Sequence, residues 1–383
     1  MATLLKHWRE AATLVLAARM RKPQLGSCDY QLLMLQRHQR SKFMPDNYVF
    51  PGGVIETEAD FASQWAELFA KSNRTLTRFT NIRGPRPPIF SKTTGASEIP
   101  NEVAFRICAI RETFEESGIL LVTDPSAVAD TGDKDILKLS TSTTDKILSK
   151  ICKRELEDWR RRVHDNALEF IELCRLLNCV PNILALTEWS DWLTPSDFKP
   201  RRYDTVFYVC CVDDIPSAAV DDQEVVNLKW LTPSEALAAH MSEKIILAPP
   251  QVYEVSRIRN FKSLDELYGY SVARGDKGLD LWLPVRINAK DGVISVLPGD
   301  SLYPEKPDFV GDKDVESIDQ TMLDSRRSST CLHRAEINGI FKIQFFCNID
   351  LPHGQITPVT LAPDDIERKS KLENSRPSFR ILC

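Results

Sequence analysis

No stretch of the chain approaches the roughly 18 consecutive apolar residues that a membrane-spanning helix needs. The longest apolar runs, such as Val206 to Val212, have the length of a strand. None of the ten cysteines forms a Cys-x-x-Cys pair, and none stands at zinc-ligand spacing from the six histidines. Several, including Cys108 and Cys210, lie inside apolar patterns. Reduced, mostly buried thiols and hence an intracellular compartment are expected. An excess of positive charge is missing too. Lys and Arg number 49 against 54 Asp and Glu, for a formal net charge of −5, and the basic residues are scattered. That excludes a broad basic face for a nucleic-acid polymer. The N-terminus lacks the apolar core of a secretory signal, because Lys6, His7, Arg9 and Glu10 interrupt it, so secretion is not expected. What remains is 383 residues, 43% hydrophobic and 27% charged, an ordinary globular composition sufficient for one large or two modest domains. Nothing in it specifies an oligomeric state.

Ala11 to Ala18 and Gln31 to Gln36 read as strands, and Tyr48 to Phe50 runs into Pro51-Gly52-Gly53, where two glycines let the backbone turn sharply and approach a neighbour closely. Residues 57 to 101 read as a loop-like insertion with a short helical patch around Trp65 and Phe69. From Asn101 to Ser117 the pattern is helical, with Val103, Ile107, Ile110 and Phe114 on one face and Gly118 as the stop. Ile119 to Val122 reads as a buried strand. A second helical region carries Trp159, Val163, Ala167, Phe170, Cys174 and Leu177 on one stripe up to Pro181, with nothing catalytic in view. Thr205 to Val212 and Val225 to Trp230 read as strands. Thr232-Pro-Ser-Glu235 is a capping box opening a helix, Pro249-Pro250 and Ser263 open two more, and Asp291-Gly292 joins a hairpin. Pro304 to about Thr330 is charged and weakly patterned, as in a linker.

The chemistry concentrates in Arg111-Glu112-Thr113-Phe114-Glu115-Glu116-Ser117-Gly118-Ile119. Like charges three and four residues apart on a helix repel. Glu112 and Glu116 project from one edge with Glu115 beside them, opposite the apolar stripe, so their oxygens can converge on a hard divalent cation. The plainer alternative is a solvated helix face with Arg111 paired to Glu115.

With the Pro-Gly-Gly turn upstream and the glycine stop downstream, this segment resembles the Nudix hydrolase box, G-x5-E-x7-R-E-U-x-E-E-x-G-U with U apolar. Its second half matches from Arg111 to Ile119, Thr113 taking a U position. About 45 residues are inserted between Gly53 and the helix, and the position eight before Arg111 is Val103, with Glu102 one place further upstream. The segment before the box resembles the L-L-x-x-R-S-x3-R-x3-G-x3-F-P-G-G pattern of coenzyme A enzymes. Leu33, Met34 and Arg37 begin it and Phe50-Pro51-Gly52-Gly53 end it, while His38, Lys42 and Asp46 replace its Ser, second Arg and Gly. Lys42 keeps a positive charge but not bidentate geometry. The chain thus looks like the coenzyme A diphosphatase branch of the Nudix family, and within it the Nudix-type motif 19 proteins, which carry such an insertion. The similarity covers most of residues 8 to 304.

The resemblance implies an α/β fold, the Nudix α/β/α sandwich with a mixed sheet. Its domain would span 8–250, with the insertion at 57–101 and a helical insertion at 150–180. A helical and hairpin extension follows at 251–304, then a partly disordered tail at 305–383. It implies a Mg²⁺-dependent hydrolase, Mn²⁺ substituting, that splits the diphosphate of coenzyme A and acyl-coenzyme A into adenosine 3′,5′-bisphosphate and an (acyl-)4′-phosphopantetheine. The catalytic set would be Arg111, Glu112, Glu115 and Glu116. Glu112 and Glu116 would ligate the metal with Glu115 sharing, while Arg111 orients them and the Gly53 carbonyl adds an oxygen. Arg37, Lys42, Gly52, Gly53 and Arg202, with Arg201 beside it, would bind substrate, although a sheet-end salt bridge to Asp204 is the plainer role for Arg202. The general base would be Glu188 or Glu224. Alternatives are a Nudix diphosphatase of another nucleotide, such as NADH or ADP-ribose, and a non-catalytic nucleotide-binding protein. The family implies a peroxisome, although Ile381-Leu382-Cys383 is not a Ser-Lys-Leu-like signal; a mitochondrion comes second, on the acid-poor N-terminal stretch.

Overall fold

The structure is a computed structural model that describes residues 8–23, 26–41, 43–70, 76–91, 99–125, 141–198, 201–220 and 224–360. Its centre is a mixed sheet built from β1 (Arg9–Arg19), β2 (Tyr30–Arg37), β3 (Asn47–Val49), β4 (Gly52–Val54), β7 (Thr187–Leu193), β8 (Tyr203–Val212), β9 (Val225–Leu231), β10 (Ile246–Leu247) and β11 (Leu281–Trp282). The strand order is β10-β3-β2-β1-β8-β7-β11, with β4 pairing β1 and β9 pairing β2. The central pair β1 and β8 is parallel, with Arg9 opposite Tyr203 and Ala18 opposite Val212. Side chains of a strand alternate between faces, and here both faces are covered. Leu14, Leu16, Val206, Tyr208 and Cys210 join one core; Val15, Ala17, Phe207, Val209 and Cys211 join another on the opposite side. Burial on both sides explains why Val206 to Val212 is continuously apolar rather than alternating. The α/β/α sandwich expected from the sequence is therefore present.

The first core is formed by the sheet, the insertion and the long helix α4 (Asn101–Ser117), which ends on Gly118 at φ 70°. The insertion is folded: α1 (Thr57–Asp60), α2 (Gln64–Ala70) and α3 (Pro88–Ser91) bury Trp65, Phe69, Ile89 and Phe90 in that core. Because it wraps α4, the edge read as opposite the apolar stripe does not face bulk water. Glu115 and Glu116 are buried, and so are the polar neighbours Thr113 and Ser117, whose hydroxyls donate to the carbonyls of Ala109 and Thr113 one turn back.

The expected strand at Ile119 to Val122 shortens to β5 (Val122–Thr123), which pairs with β6 (Val180–Pro181). After α5 (Thr141–Leu148), the single stripe from Trp159 to Leu177 resolves into α6 (Lys153–Asp165) and α7 (Glu169–Leu177). Asn166 is extended at the break, and its side chain accepts from the Leu168 N–H, a local bond that competes with helix. The second core lies under α8 (Pro233–Met241), α9 (Pro249–Ile258) and α10 (Leu264–Arg274), each opened where the sequence placed its cap.

Another sheet follows: β12 (Val285–Ala289), β13 (Gly292–Val296), β14 (Glu316–Ser317), β15 (His333–Ile337) and β16 (Ile343–Cys347), in the order β14-β12-β13-β15-β16. The linker expected over Pro304 to Thr330 contains β14 and α11 (Met322–Ser328). This segment is held by polar bonds rather than by periodic apolar faces. The Asp308 carboxylate accepts three backbone N–H groups, of Val310, Gly311 and Lys313, and Thr321 caps α11. The described residues end at 360, so the remainder of the tail lies outside them. No described helix is long and apolar enough to cross a membrane.

Candidate active site

The box glutamates meet the Pro-Gly-Gly turn because β4 lies against the start of β1, with Thr13 opposite Gly52 and Ala12 opposite Gly53, and α4 packs behind it. Gly52 donates its N–H to Glu116 Oε2 at 2.9 Å. Gly53 is where Glu112 closes in: a Cβ there would stand 2.3 Å from the Glu112 carboxyl carbon, so only glycine leaves room for that carboxylate. At Gly52 a Cβ would stand 2.4 Å from the Ala12 carbonyl oxygen. Gly53 thus admits the Glu112 carboxylate to the turn, and Gly52 lets the turn close against β1.

Arg111 sits behind the glutamates, almost fully buried. Its Nη1 donates to Glu112 Oε1 at 2.9 Å and to Glu115 Oε1 at 2.7 Å. Its other edge forks onto Asp60, Nε to Oδ1 and Nη2 to Oδ2, both at 2.9 Å. Asp60 also accepts the Glu56 N–H. The charge paired with the box arginine is thus an aspartate on α1, at the edge of the insertion. Counted back from Arg111, the box spacing falls on Val103 and misses Asp60. The nearby alternative, Glu102, instead accepts from Arg86 at 3.1 Å, in another ion network. The available signal was the position of Asp60 one place beyond the box's G-x5-E spacing from Gly53.

Burial pushes Glu112 up to about 8 and Glu115 to about 7, with the neighbouring carboxylates adding to it and Arg111 opposing. Glu116 is raised as well, by burial first and by Glu112 next, against Arg37. Asp60, Glu112, Glu115, Glu116 and the more distant Glu224 outnumber the two guanidinium groups that offset them. A surplus of partly desolvated carboxylate oxygens is the donor chemistry of a hard divalent cation. Among the described residues, no three acidic, histidine or cysteine side chains already stand as a finished cage. Glu112 and Glu115 turn to Arg111, and Glu116 turns to Gly52.

The glutamates, Gly52, Gly53 and Arg37 line one cavity of about 1290 Å³. Arg37 holds Ser41 through its Nε at 3.1 Å. Lys42 lies outside the described residues. Arg202 does not line the cavity. Its guanidinium donates to the carbonyls of Thr194 and Phe309, tying the end of β7 to the C-terminal segment. Of the two base candidates, Glu224 lines the cavity. Glu188 is buried away from it between Arg86 and Arg106, whose charges overcome the upward push of burial and hold it below the usual carboxylate range. The helical region read as having nothing catalytic contributes a neighbour: His164 Nδ1, at the end of α6, lies 3.7 Å from Glu115 Oε2. Arg9, Phe43 and Tyr203 also line the cavity, with no sequence signal beyond their place in matching strands and loops.

The family model of the NUDT19 Nudix domain matches residues 8–258, and that of the NUDT19 C-terminal domain matches residues 286–348. A Gallus gallus protein named acyl-coenzyme A diphosphatase NUDT19 is 41% identical over 382 residues, covering 96% of this chain and 99% of the relative. A Xenopus laevis protein of the same name is 39% identical over 397 residues, covering 97% and 100%. Among solved structures, a Nudix hydrolase from Alicyclobacillus acidocaldarius superposes with a TM-score of 0.46 at 16% identity, over 68% of this chain and 96% of that one.

Proposed function

Given that the chain belongs to the NUDT19 family of Nudix hydrolases, we propose that it hydrolyses the diphosphate of coenzyme A and acyl-coenzyme A, giving adenosine 3′,5′-bisphosphate and (acyl-)4′-phosphopantetheine. The observation carrying this reading is the set of carboxylates from one helical turn, packed on the Gly52-Gly53 turn at a cavity of about 1290 Å³. A diphosphate resists hydrolysis because its anionic oxygens repel a nucleophile; Mg²⁺, or Mn²⁺ in its place, held by Glu112, Glu115 and Glu116, would neutralise that charge.

The chain's own part is to aim those groups. Arg111 fixes Glu112 and Glu115, Asp60 fixes Arg111, and the Gly52 N–H fixes Glu116. Arg37, with Lys42 on the same segment, takes the substrate's phosphates. Glu224, on the cavity wall, takes the proton of the attacking water. The compartment that goes with this reading is the peroxisome, then the mitochondrion, checked by imaging the chain with both termini untagged.

Pure protein is incubated with Mg²⁺ and coenzyme A, NADH or ADP-ribose in parallel. Coenzyme A is expected to give adenosine 3′,5′-bisphosphate with kcat/KM about tenfold or more above the other two. Preference for NADH or ADP-ribose moves the reading to another nucleotide. Glu116→Gln is expected to fold normally and lose about three orders of magnitude or more in kcat. An equally active variant removes these glutamates from the chemistry.

A further inference from the structure

The cavity extends beyond the glutamates. One of its walls is a face of the C-terminal sheet, and nothing in the diphosphate chemistry requires that wall. Register defines it: Val293 pairs with Ile337 and Ile337 with Ile343, while Ser295 pairs with Ala335 and Ala335 with Phe345. These cross-strand rows share one face, and all their members line the cavity. The residues alternating with them, Ile287, Ile294 and Val296, point the other way and pack with Met322 of α11. The sheet has therefore spent one apolar face on its own small core; of the second, Ala335, Ile343 and Phe345 are buried against the core under α9, while the half-buried Val293 and Ile337 and the edges of those residues border the cavity. At the tip of the β15–β16 hairpin, Ile340 is 59% exposed and also lines it.

The wall is firm. Phe345 stacks edge-on to Tyr253 of α9 at 5.0 Å, and the Tyr253 hydroxyl meets His333 Nε2 at 2.7 Å. Its one charged member, Arg286, is paired with Asp197 at 2.8 Å. The carboxylates and Arg37 of the same cavity belong to the Nudix part of the chain. Charge thus divides the cavity: a diphosphate brought with a divalent cation would belong by the glutamates and Arg37, and an alkyl group belongs by the sheet.

We infer that the C-terminal sheet is the acyl-chain subsite of the enzyme. The alkyl chain of an acyl-coenzyme A whose diphosphate lies at Glu112, Glu115 and Glu116 runs along Val293, Ile337, Ile340 and Ile343. This rests on the diphosphatase reading and adds to it which part of the chain sets acyl preference. Burying a methylene is worth about fourfold in binding, so kcat/KM rises from coenzyme A through octanoyl- to palmitoyl-coenzyme A until the wall is covered.

The test compares the full chain with Ile340→Asp, an exposed site that tolerates charge, and with the milder Ile337→Ala. Hydrolysis of coenzyme A and palmitoyl-coenzyme A is measured, with calorimetric binding of hexadecyl-coenzyme A, the alkyl thioether, in buffer holding a chelator and no divalent cation so that its diphosphate stays intact. The ratio of palmitoyl- to free coenzyme A kcat/KM is expected to fall about tenfold or more in Ile340→Asp and several-fold in Ile337→Ala, and thioether binding to weaken in step. Unchanged ratios with coenzyme A still hydrolysed overturn the subsite and leave the diphosphatase reading intact. Thioether binding that weakens in the variants, with no turnover of any substrate, supports the subsite and sinks the diphosphatase reading. Absence of both turnover and binding sinks both. A wild-type dimer that Ile340→Asp converts to monomer gives the face to a second copy and overturns the subsite.

Discussion

Asp60→Asn isolates the contact that replaces the interrupted half of the box. Asp60 is fully buried and accepts both arms of the Arg111 fork at 2.9 Å as well as the Glu56 N–H at 2.8 Å. The amide keeps the shape, removes the charge and turns one N–H₂ toward a guanidinium that has no acceptor to offer. Breaking a buried ion pair from one side costs about 3–5 kcal/mol. The remaining amide oxygen and the Glu112 and Glu115 carboxylates recover part of that, so the expected loss of stability is about 2–4 kcal/mol. Activity should suffer separately. Released from Asp60, Arg111 is neutralised by Glu112 and Glu115 alone and competes with a cation for their oxygens. Loss of such a supporting contact costs about 10–100-fold in metal affinity. The assays are the urea midpoint at constant m-value and the Mg²⁺ concentration for half-maximal hydrolysis, with Asp60→Glu as the charge-retaining control. A change below about 1 kcal/mol, with an unmoved Mg²⁺ requirement, would refute the idea that Asp60 anchors the box arginine.

Gly53→Ala puts a methyl group 2.3 Å from the Glu112 carboxyl carbon, and because the obstacle is a side-chain end the carboxylate moves rather than the backbone. Activity is expected to fall about a hundredfold with little change in the melting midpoint; retention of near-wild-type turnover contradicts the close approach. Asp191 on β7 and Asp204 on β8 form a buried carboxyl pair, and burial first, then Asp204, holds Asp191 well above the usual range. Folded Asp191 keeps its proton where the unfolded chain loses it, so its contribution is whole below the unfolded pKa of about 4 and declines by about 1.4 kcal/mol per pH unit above it, until the folded group ionises. Asp191→Asn should therefore gain on the wild type in urea unfolding between pH 5 and pH 8, and a pH-independent gap would show that the pair does not share a proton.

The grouping of the glutamates with the glycine turn was readable in the chain because the box is local. Three glutamates within one helical turn, a glycine stop and a Pro-Gly-Gly turn define one another at short range. So do the helix caps at Thr232, Ser263 and the Pro249-Pro250 pair, which the structure reproduces. The strands were legible for a related reason: alternate residues on β1 and β8 must be apolar on both sides of a sheet covered twice. Tertiary structure decided what depends on residues far apart. Asp60 reaches Arg111 across fifty-one positions, and only the packing of α1 on α4 brings them together. Glu188 and Arg202 carry the residue types of an active site, yet partners from distant segments bury one in an ion network and tie the other to carbonyls. The segment after Pro304 reads as a linker because its order comes from capping and ion pairs such as Arg326 to Glu336, which leave no periodic trace. The apolar cavity wall is set by the register of β13, β15 and β16, and a strand's sequence records alternation but not what its outward face will meet.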